Sequence, residues 1–302
     1  MTSLLSFILA LTTAPLIPGI INRIKAVSAG RQGPPLLQNY YDLAKLMKKG
    51  VVYSHTTTWL FKASPVIQCA AACAALLIVP FGGGAALLHF KGDLLLFAYL
   101  LAMGRFFLVL GALDTGSSFE GMGASREVLI SALTEPAFLL GFTALASFTG
   151  RFSLTGICHS VSFLSLFESA GTATLLIVVA MMLVFLTENA RIPVDDPNTH
   201  LELTMVHEVM VLDHSGPDLA LIEYTAALKL WIYGALLIGI VNPAGRHTLA
   251  MGLLIGLAGM AVIAILTGFI ESIMARLPWV RVPQLIASAL VLSILASIIV
   301  GW

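Results

Sequence analysis

Charge is scarce in this sequence, and what there is cancels. Lysine plus arginine and aspartate plus glutamate each number 16 in 302 residues, so charged side chains are 11% of the chain against 58% hydrophobic ones. That balance excludes an ordinary soluble enzyme. Cysteine is scarcer still: Cys69, Cys73 and Cys158 form no Cys-x-x-Cys pair. An iron–sulfur cluster needs about four thiolates and a nickel–iron centre needs paired cysteines, so no cofactor is expected on this chain and any electrons belong to partners. Cys69 and Cys73, four apart on a helix, read as small packing residues. Internal repeats, low-complexity linkers and a small-residue cleavage site after the first apolar run are also missing, so that run reads as a retained helix.

What fills the chain instead is long apolar runs. Stretches near 3–22, 65–88, 94–112, 128–149, 171–187, 225–242, 249–270 and 283–301 are each about the length that crosses a bilayer as a helix. The expected fold is all-α and integral to the membrane, one polytopic domain over 1–302 with eight spans and amphipathic or polar segments between them. Pro65 and Pro283 stand where helices begin, and Pro80 with Gly82, Gly83 and Gly84 punctuates a loop. Alternating the loops between sides puts Arg23, Lys25, Arg31, Lys45, Lys48, Lys49, Lys62, Arg126, Arg191, Lys229, Arg276 and Arg281 on one face. Lys91, Arg151 and Arg246 fall on the other. The positive-inside rule makes the first face cytoplasmic and places both termini outside.

Three polar elements interrupt the apolar pattern. In the first, Gly33, Pro34 and Pro35 stop the chain. Leu36, Leu37, Tyr40, Leu43, Ala44 and Met47 then recur at helical spacing, with Asp42, Lys45, Lys48 and Lys49 elsewhere around the circumference. This reads as an amphipathic helix at the membrane surface, serving as an anchor or a docking face. The second, from Gly111 to Phe138, is expected to run as a glycine- and serine-rich loop carrying Asp114 and Glu120. Ser125, Arg126 and Glu127 then open a helix in which Glu135 precedes Pro136. A carboxylate there must be protonated, hydrated or paired, and Arg105, inside the third span, or Arg126 is its expected partner.

The third element, Glu188 to Glu223, holds eight of the sixteen carboxylates and three of the seven histidines. It is too charged to span and too apolar to be a solvated loop, so it must be buried against protein. His200 and His207, seven apart, would share a helix face, and His214 would continue the interval. No metal is expected, because HExxH needs a histidine where Val211 stands. Histidines paired with Glu202, Glu208 or Asp213 would titrate near neutral pH. Carboxylates crowded at low dielectric share protons, so the element can serve ion movement or a structural polar network.

These elements, in this order, resemble the membrane-subunit family shared by respiratory complex I and the energy-converting nickel–iron hydrogenases. The block from Gly92 to Glu127 looks like the hydrogenase-4 and formate hydrogenlyase branch. The pattern R-x-G-P followed by Asp and Lys-Leu is matched by Arg31, Gly33, Pro34, Asp42, Lys45 and Leu46. The pattern E-x-x-x-[IL]-P-[FV]-D is matched by Glu188, Ile192, Pro193, Val194 and Asp195, and the later Glu-Leu pair by Glu202 and Leu203. Leu113 to Gly116 and Gly123 to Glu127 match the hydrogenase side rather than the quinone-reducing one. The chain departs from the pattern after Asp195, where Asp196 to His200 replace a Glu-rich run.

The resemblance implies a noncatalytic subunit of a prokaryotic inner membrane that anchors a peripheral redox arm and couples it to proton or sodium movement. Its partners would be hydrogenase large and small subunits, a ferredoxin-like subunit and antiporter-like membrane subunits, with the Ni–Fe centre and Fe–S clusters in those partners and no nucleic acid. The expected ion path is Glu135, Glu188, Asp195, Glu202, Glu208 and Glu223, with His200, His207 and Lys229 biasing their charge. The expected dock is Arg31, Gly33, Pro34, Asp42, Lys45, Asp114, Glu120, Arg126, Arg191 and Asp213. A quinone-site subunit of an NADH:quinone oxidoreductase and a purely structural anchor are the alternatives.

Overall fold

A computed structural model describes residues 2–161, 171–196, 205–241 and 249–301. Among them the regular structure is helical. Seven helices are long and apolar enough to cross a membrane, and an eighth span forms if two short helices bent by 45° count as one. That pair is α1 (Thr2–Thr13) and α2 (Leu16–Ser28). Pro15 stands at the break, where its missing N–H and its ring keep α1 from continuing.

The first surface element is a helix, α3 (Gln38–Met47), as the apolar spacing predicts. None of its residues is fully buried: Tyr40 and Leu43 are half-covered, while Leu36, Leu37 and Met47 are exposed. The Tyr40 hydroxyl ties it back to the Thr12 carbonyl.

Helix α4 (Trp59–Leu76) departs from expectation at both ends. Pro65 lies inside it rather than at its start. Thr58 caps the helix by accepting from the Leu60 N–H, and is itself fixed by the Asp114 carboxylate at 2.6–3.0 Å. Pro65 cannot donate to the Phe61 carbonyl one turn back, and the Ser64 hydroxyl takes that carbonyl instead at 3.2 Å. The helix stops at Leu76, well short of residue 88. Pro80 and the left-handed Gly82 and Gly83 turn the chain back, and Leu88 N–H bonds Leu77 O at 2.9 Å.

Helix α5 (Asp93–Asp114) leads into the largest correction. The expected glycine- and serine-rich loop shrinks to Thr115–Ser117, because α6 begins at Ser118 and runs to Thr149, so Asp114 and Glu120 lie on helices. Glu120 in the first turn suits the positive end of the helix dipole. Glu135 therefore sits in the middle of a long helix. Short α7 (Leu154–Ser160) follows, then α8 (Gly171–Glu188).

Helix α9 (Gly216–Val241) begins nine residues before its apolar stretch suggests. Gly216 holds φ +56°, Pro217 suits a first helical turn, and a Cβ on Gly216 would meet the Gly50 carbonyl at 2.6 Å. Helices α10 (Leu249–Ile273) and α11 (Val282–Gly301) complete the chain, with Pro283 at the start of α11 as expected.

Helix α9 is the axis of the bundle. Its 18-residue apolar window is 67% buried, the highest of the spans, and it packs on α3, α4, α8 and α10, while α4 lies along α5 and α11 along α6 and α8. Trp231, Phe81, Phe97, Phe142 and Phe185 fill the core. Outward-facing Leu254, Phe269 and Ile298 are exposed, as lipid-facing positions require. Between Met205 and Ser215 only a single 3-10 turn forms, Glu208–Val211. The helix that would align the histidines is therefore not present across His207 to His214.

Candidate functional site

The site is built around a lone cation in an apolar run. Arg105, on the fourth turn of α5, is buried, and a buried charge persists only with partners. Its guanidinium reaches Glu188 at the end of α8 at 2.6 Å, Glu135 on α6 at 3.0 Å, and Glu127, also on α6, at 3.7 Å. Midway along α9, Lys229 donates to the Glu188 carbonyl at 3.1 Å and stands 3.9 Å from its carboxylate. Four spans thus converge on two cations and three carboxyl groups. With all of them ionised the group carries one surplus negative charge, which a single proton neutralises.

Glu135 is the outlier of the group. Its side chain is 45% exposed although it stands mid-span, whereas Glu188 is 3% exposed. A carboxylate open to lipid is costly. Arg126 does not pair with it: that guanidinium bonds the Met205 carbonyl at 3.0 Å and lies 5.3 Å from the Trp279 ring centre.

A second group of ion pairs holds the segment after α8. Glu271, at the end of α10 with its side chain wholly covered, stands 2.9 Å from Lys25 of α2 and 3.5 Å from Arg191. Asp195 pairs with Arg276 at 2.7 Å and accepts from the N–H groups of Val206 and His207 at 3.0 and 3.2 Å. One carboxylate thus pins both strands of the polar segment.

Between the two groups opens a cavity of about 580 Å³, bounded by α2, α3, α9 and the polar segment. Asp42, Asp195, Glu208 and Glu223 line it, with Arg191, His207 and His214, among apolar walls from Pro15, Val211, Ile222 and Leu230. Burial, reinforced for His207 by Lys229, pushes the imidazoles of His207 and His214 down to about 4. Both are neutral at pH 7 rather than titrating near it, as pairing with Glu202, Glu208 or Asp213 would have them do. His214 stacks flat on Phe61, ring centres 3.9 Å apart, and neither of its nitrogens has a hydrogen-bond partner. Among the described residues no three His, Cys, Asp or Glu side chains converge to hold a metal ion.

The other expected positions spread along the surface that carries this cavity. Gly33 gives its carbonyl to Arg23 at 2.9 Å, Gln38 holds Asp42 at 3.0 Å, and Arg31, Pro34 and Lys45 are exposed. Asp114 ties α5 to Thr58, and Glu120 accepts from Asp213 N–H at 3.1 Å. His200 and Glu202 lie outside the described residues.

A family model described as NADH dehydrogenase matches residues 1–301. The chain belongs to that NADH dehydrogenase family. It is 30% identical over 282 residues to hydrogenase-4 component C of Escherichia coli (strain K12), across 89% of this chain and 85% of that protein. To formate hydrogenlyase subunit 4 of the same organism it is 28% identical over 280 residues, across 91% and 90%. To a subunit of the NADH-quinone oxidoreductase of Rubrobacter xylanophilus it is 26% identical over 213 residues, across 68% and 61%. A chain from the membrane-bound sulfane sulfur reductase, an archaeal respiratory membrane complex, superposes with a TM-score of 0.85 at 21% identity, covering 99% of this chain and 98% of that one. That likeness shows the fold.

Within this NADH dehydrogenase family fold, sequence reasoning passed over several members of the site. Arg105 was visible as a charge within a span, but its role as the common partner of three carboxylates was not. Glu127 read as a helix-opening residue. Glu271 and Lys25 are 246 positions apart, and nothing local links them. The available signal was the same for Arg105 and Glu271: a lone charge in or against an apolar run needs an opposite charge from another span.

Proposed function

We propose that this chain is the noncatalytic membrane subunit through which a hydrogenase-like member of the complex I class couples redox chemistry in a peripheral arm to proton or sodium movement. The observation that carries the reading is the buried Arg105 group, two cations against three carboxyl groups drawn from four spans. Such a group takes up or releases an ion when one partner shifts. Its half-exposed Glu135 supports a lateral exit, since a neighbouring antiporter-like subunit seated there would cover a carboxylate that lipid would not tolerate. The acidic cavity supports an entrance from the side where Arg31, Lys45 and Arg191 lie, which the positive-inside rule makes cytoplasmic, with both termini outside. The hydrogenase large and small subunits and a ferredoxin-like subunit would dock over that side and hold the Ni–Fe centre and Fe–S clusters.

The test is Glu188→Gln in the intact complex reconstituted in vesicles. Ion transport per electron should collapse while the subunits stay assembled; normal transport in an assembled complex sinks the reading. Copurification of a nickel–iron large subunit carrying paired Cys-x-x-Cys motifs tests the hydrogenase assignment.

One observation favours a quinone-reducing assembly as second reading. The cavity of about 580 Å³ lies within the range of roughly 300–1,000 Å³ usual for small-molecule sites and has mixed apolar and polar walls. Quinone photolabelling near Asp42 or Asp195 together with NADH-linked activity would decide for it.

A further inference from the structure

Cations are rare on the face that the positive-inside rule makes the outer one, yet the fold brings two of them together. Lys91 stands in the turn before α5 and Arg151 in the turn after α6. The Gly92 N–H bonds the Phe152 carbonyl at 2.9 Å, and the Asp93 carboxylate accepts from the Leu154 N–H at 2.8 Å. These two bonds fix one turn against the other and set Lys91 and Arg151 each one position before a bonded residue. The root of the arginine is seated as well, since a Cβ on Gly156 of α7 would meet Arg151 Cβ at 3.2 Å and Cγ at 3.5 Å.

Both cations are exposed, and among the described residues neither has a carboxylate partner. Asp93, the acid next in the chain, has no exposed surface and is committed to the Leu154 N–H. Around the pair the surface is apolar: Phe152 is 68% exposed, and Phe90 and Leu88 are exposed beside it. Aromatic rings at the end of a span lie at the level of the lipid headgroups, and long cationic side chains reach from there to phosphate. A guanidinium and an ammonium side by side suit a phosphodiester, the first as a fork and the second as a point charge. A zwitterionic headgroup brings its own ammonium to the same place, so a net negative headgroup is the better complement.

We infer that Lys91 and Arg151 hold the phosphate of an anionic phospholipid at the outer boundary of the membrane, with its acyl chains lying along Phe152 and Phe90. The lipid staples the outer end of α5 to the turn that leaves α6. Those two helices carry Arg105, Glu127 and Glu135, so the staple fixes their spacing from the far side of the bilayer. The site does not depend on the coupling reading above, because it needs only a membrane and these two turns.

The test uses the intact complex, delipidated and titrated with phosphatidylglycerol or with phosphatidylcholine, with bound lipid counted by native mass spectrometry. The double variant Lys91→Gln with Arg151→Gln should lose a tightly held phosphatidylglycerol, its affinity falling by about tenfold or more, as expected for two cations removed from a membrane surface. Lys91→Arg should keep it. Phosphatidylcholine should bind parent and double variant alike; an equal loss of both lipids overturns the preference for a negative headgroup. Phe152→Ser keeps both cations and should also weaken phosphatidylglycerol, whereas unchanged binding there overturns the placing of the acyl chains. Displacement of the lipid by inorganic phosphate would make the site one for the free anion and overturn the lipid assignment. An unchanged phosphatidylglycerol titration in the assembled double variant overturns the site altogether.

Discussion

Arg105 and Glu188, 83 residues apart on α5 and α8, meet at 2.6 Å in the interior of the bundle, each almost fully covered. The same carboxylate lies beside Lys229 of α9, and Arg105 also holds Glu135 of α6. The pair is therefore both a tie between spans and the centre of the titratable group. Structural loss and loss of coupling must be told apart by measurement.

Removing one side of this pair leaves a buried charge without its partner, which costs about 3–5 kcal/mol in comparable sites. Arg105→Met should lower the thermal midpoint of the assembled complex markedly. The double variant Arg105→Met with Glu188→Gln should regain part of that loss, since the covered Glu188 carboxylate is no longer left ionised without its guanidinium; recovery is only partial because Glu127, Glu135 and Lys229 each still lose a partner. A double variant no more stable than Arg105→Met would show that the pair is not the element that matters.

Glu271 makes the second tie. Its covered carboxylate faces Lys25 and Arg191, and so links α2, α10 and the segment leaving α8. Glu271→Gln weakens both attractions while keeping size. Hydrogen exchange across residues 191–196 should speed up by about tenfold or more, corresponding to roughly 1.4 kcal/mol of local opening free energy. Unchanged exchange there would remove Glu271 from the account.

How much of this was legible depends on range. The number and rough places of the spans follow from apolar runs, because a bilayer-crossing helix needs about 20 mostly apolar residues. The two ends of α4 did not follow. Pro65 reads as a start signal, and only the Ser64 hydroxyl on the Phe61 carbonyl explains why a helix tolerates it inside. The early start of α6 was hidden by Gly121 and Gly123, which read as loop by composition, although Gly123 here serves close packing against another segment. The histidine spacing misled for a different reason, since a seven-residue interval aligns side chains only if the chain between them is helical. Around His207 it forms a single 3-10 turn. The pairing of Arg105 with three separate carboxylates is a property of the packed spans and has no local sequence signal.

Acid should destabilise the site through its two neutral histidines. His207 and His214 are held at about 4, against an ordinary value of 6.5 that the unfolded chain regains. Between those limits the unfolded state binds more protons, so their contribution is complete above pH 6.5 and is lost progressively as pH falls toward 4. His214→Phe keeps the flat stack on Phe61 and forfeits no hydrogen bond. It should leave the thermal midpoint at pH 7.5 unchanged or raised and make its fall between pH 6.5 and 4.5 shallower. An identical pH profile for parent and variant would exclude His214 as a source of that slope.

The last prediction concerns how the polar segment is seated. A Cβ on Gly123 of α6 would overlap the Val209 side chain and stand 3.0 Å from both the Met210 side chain and the Val206 carbonyl. That close approach lets the turn at Glu208–Val211 lie directly on α6, which in turn places His207 against Lys229 and the Asp195 carboxylate beneath the Val206 and His207 N–H groups. Gly123→Ala forces the turn outward, with an overpacking cost of roughly 1–3 kcal/mol. Because the displaced element carries a histidine that lines the acidic cavity, the loss should reach further than stability. Exchange of the Val206 and His207 amides should rise and ion transport per electron should fall in the same variant, whereas Gly121→Ala, whose Cβ would meet nothing within 4 Å, should change neither. Equal behaviour of the two alanine variants would mean that the seat of the turn on α6 is not what positions His207.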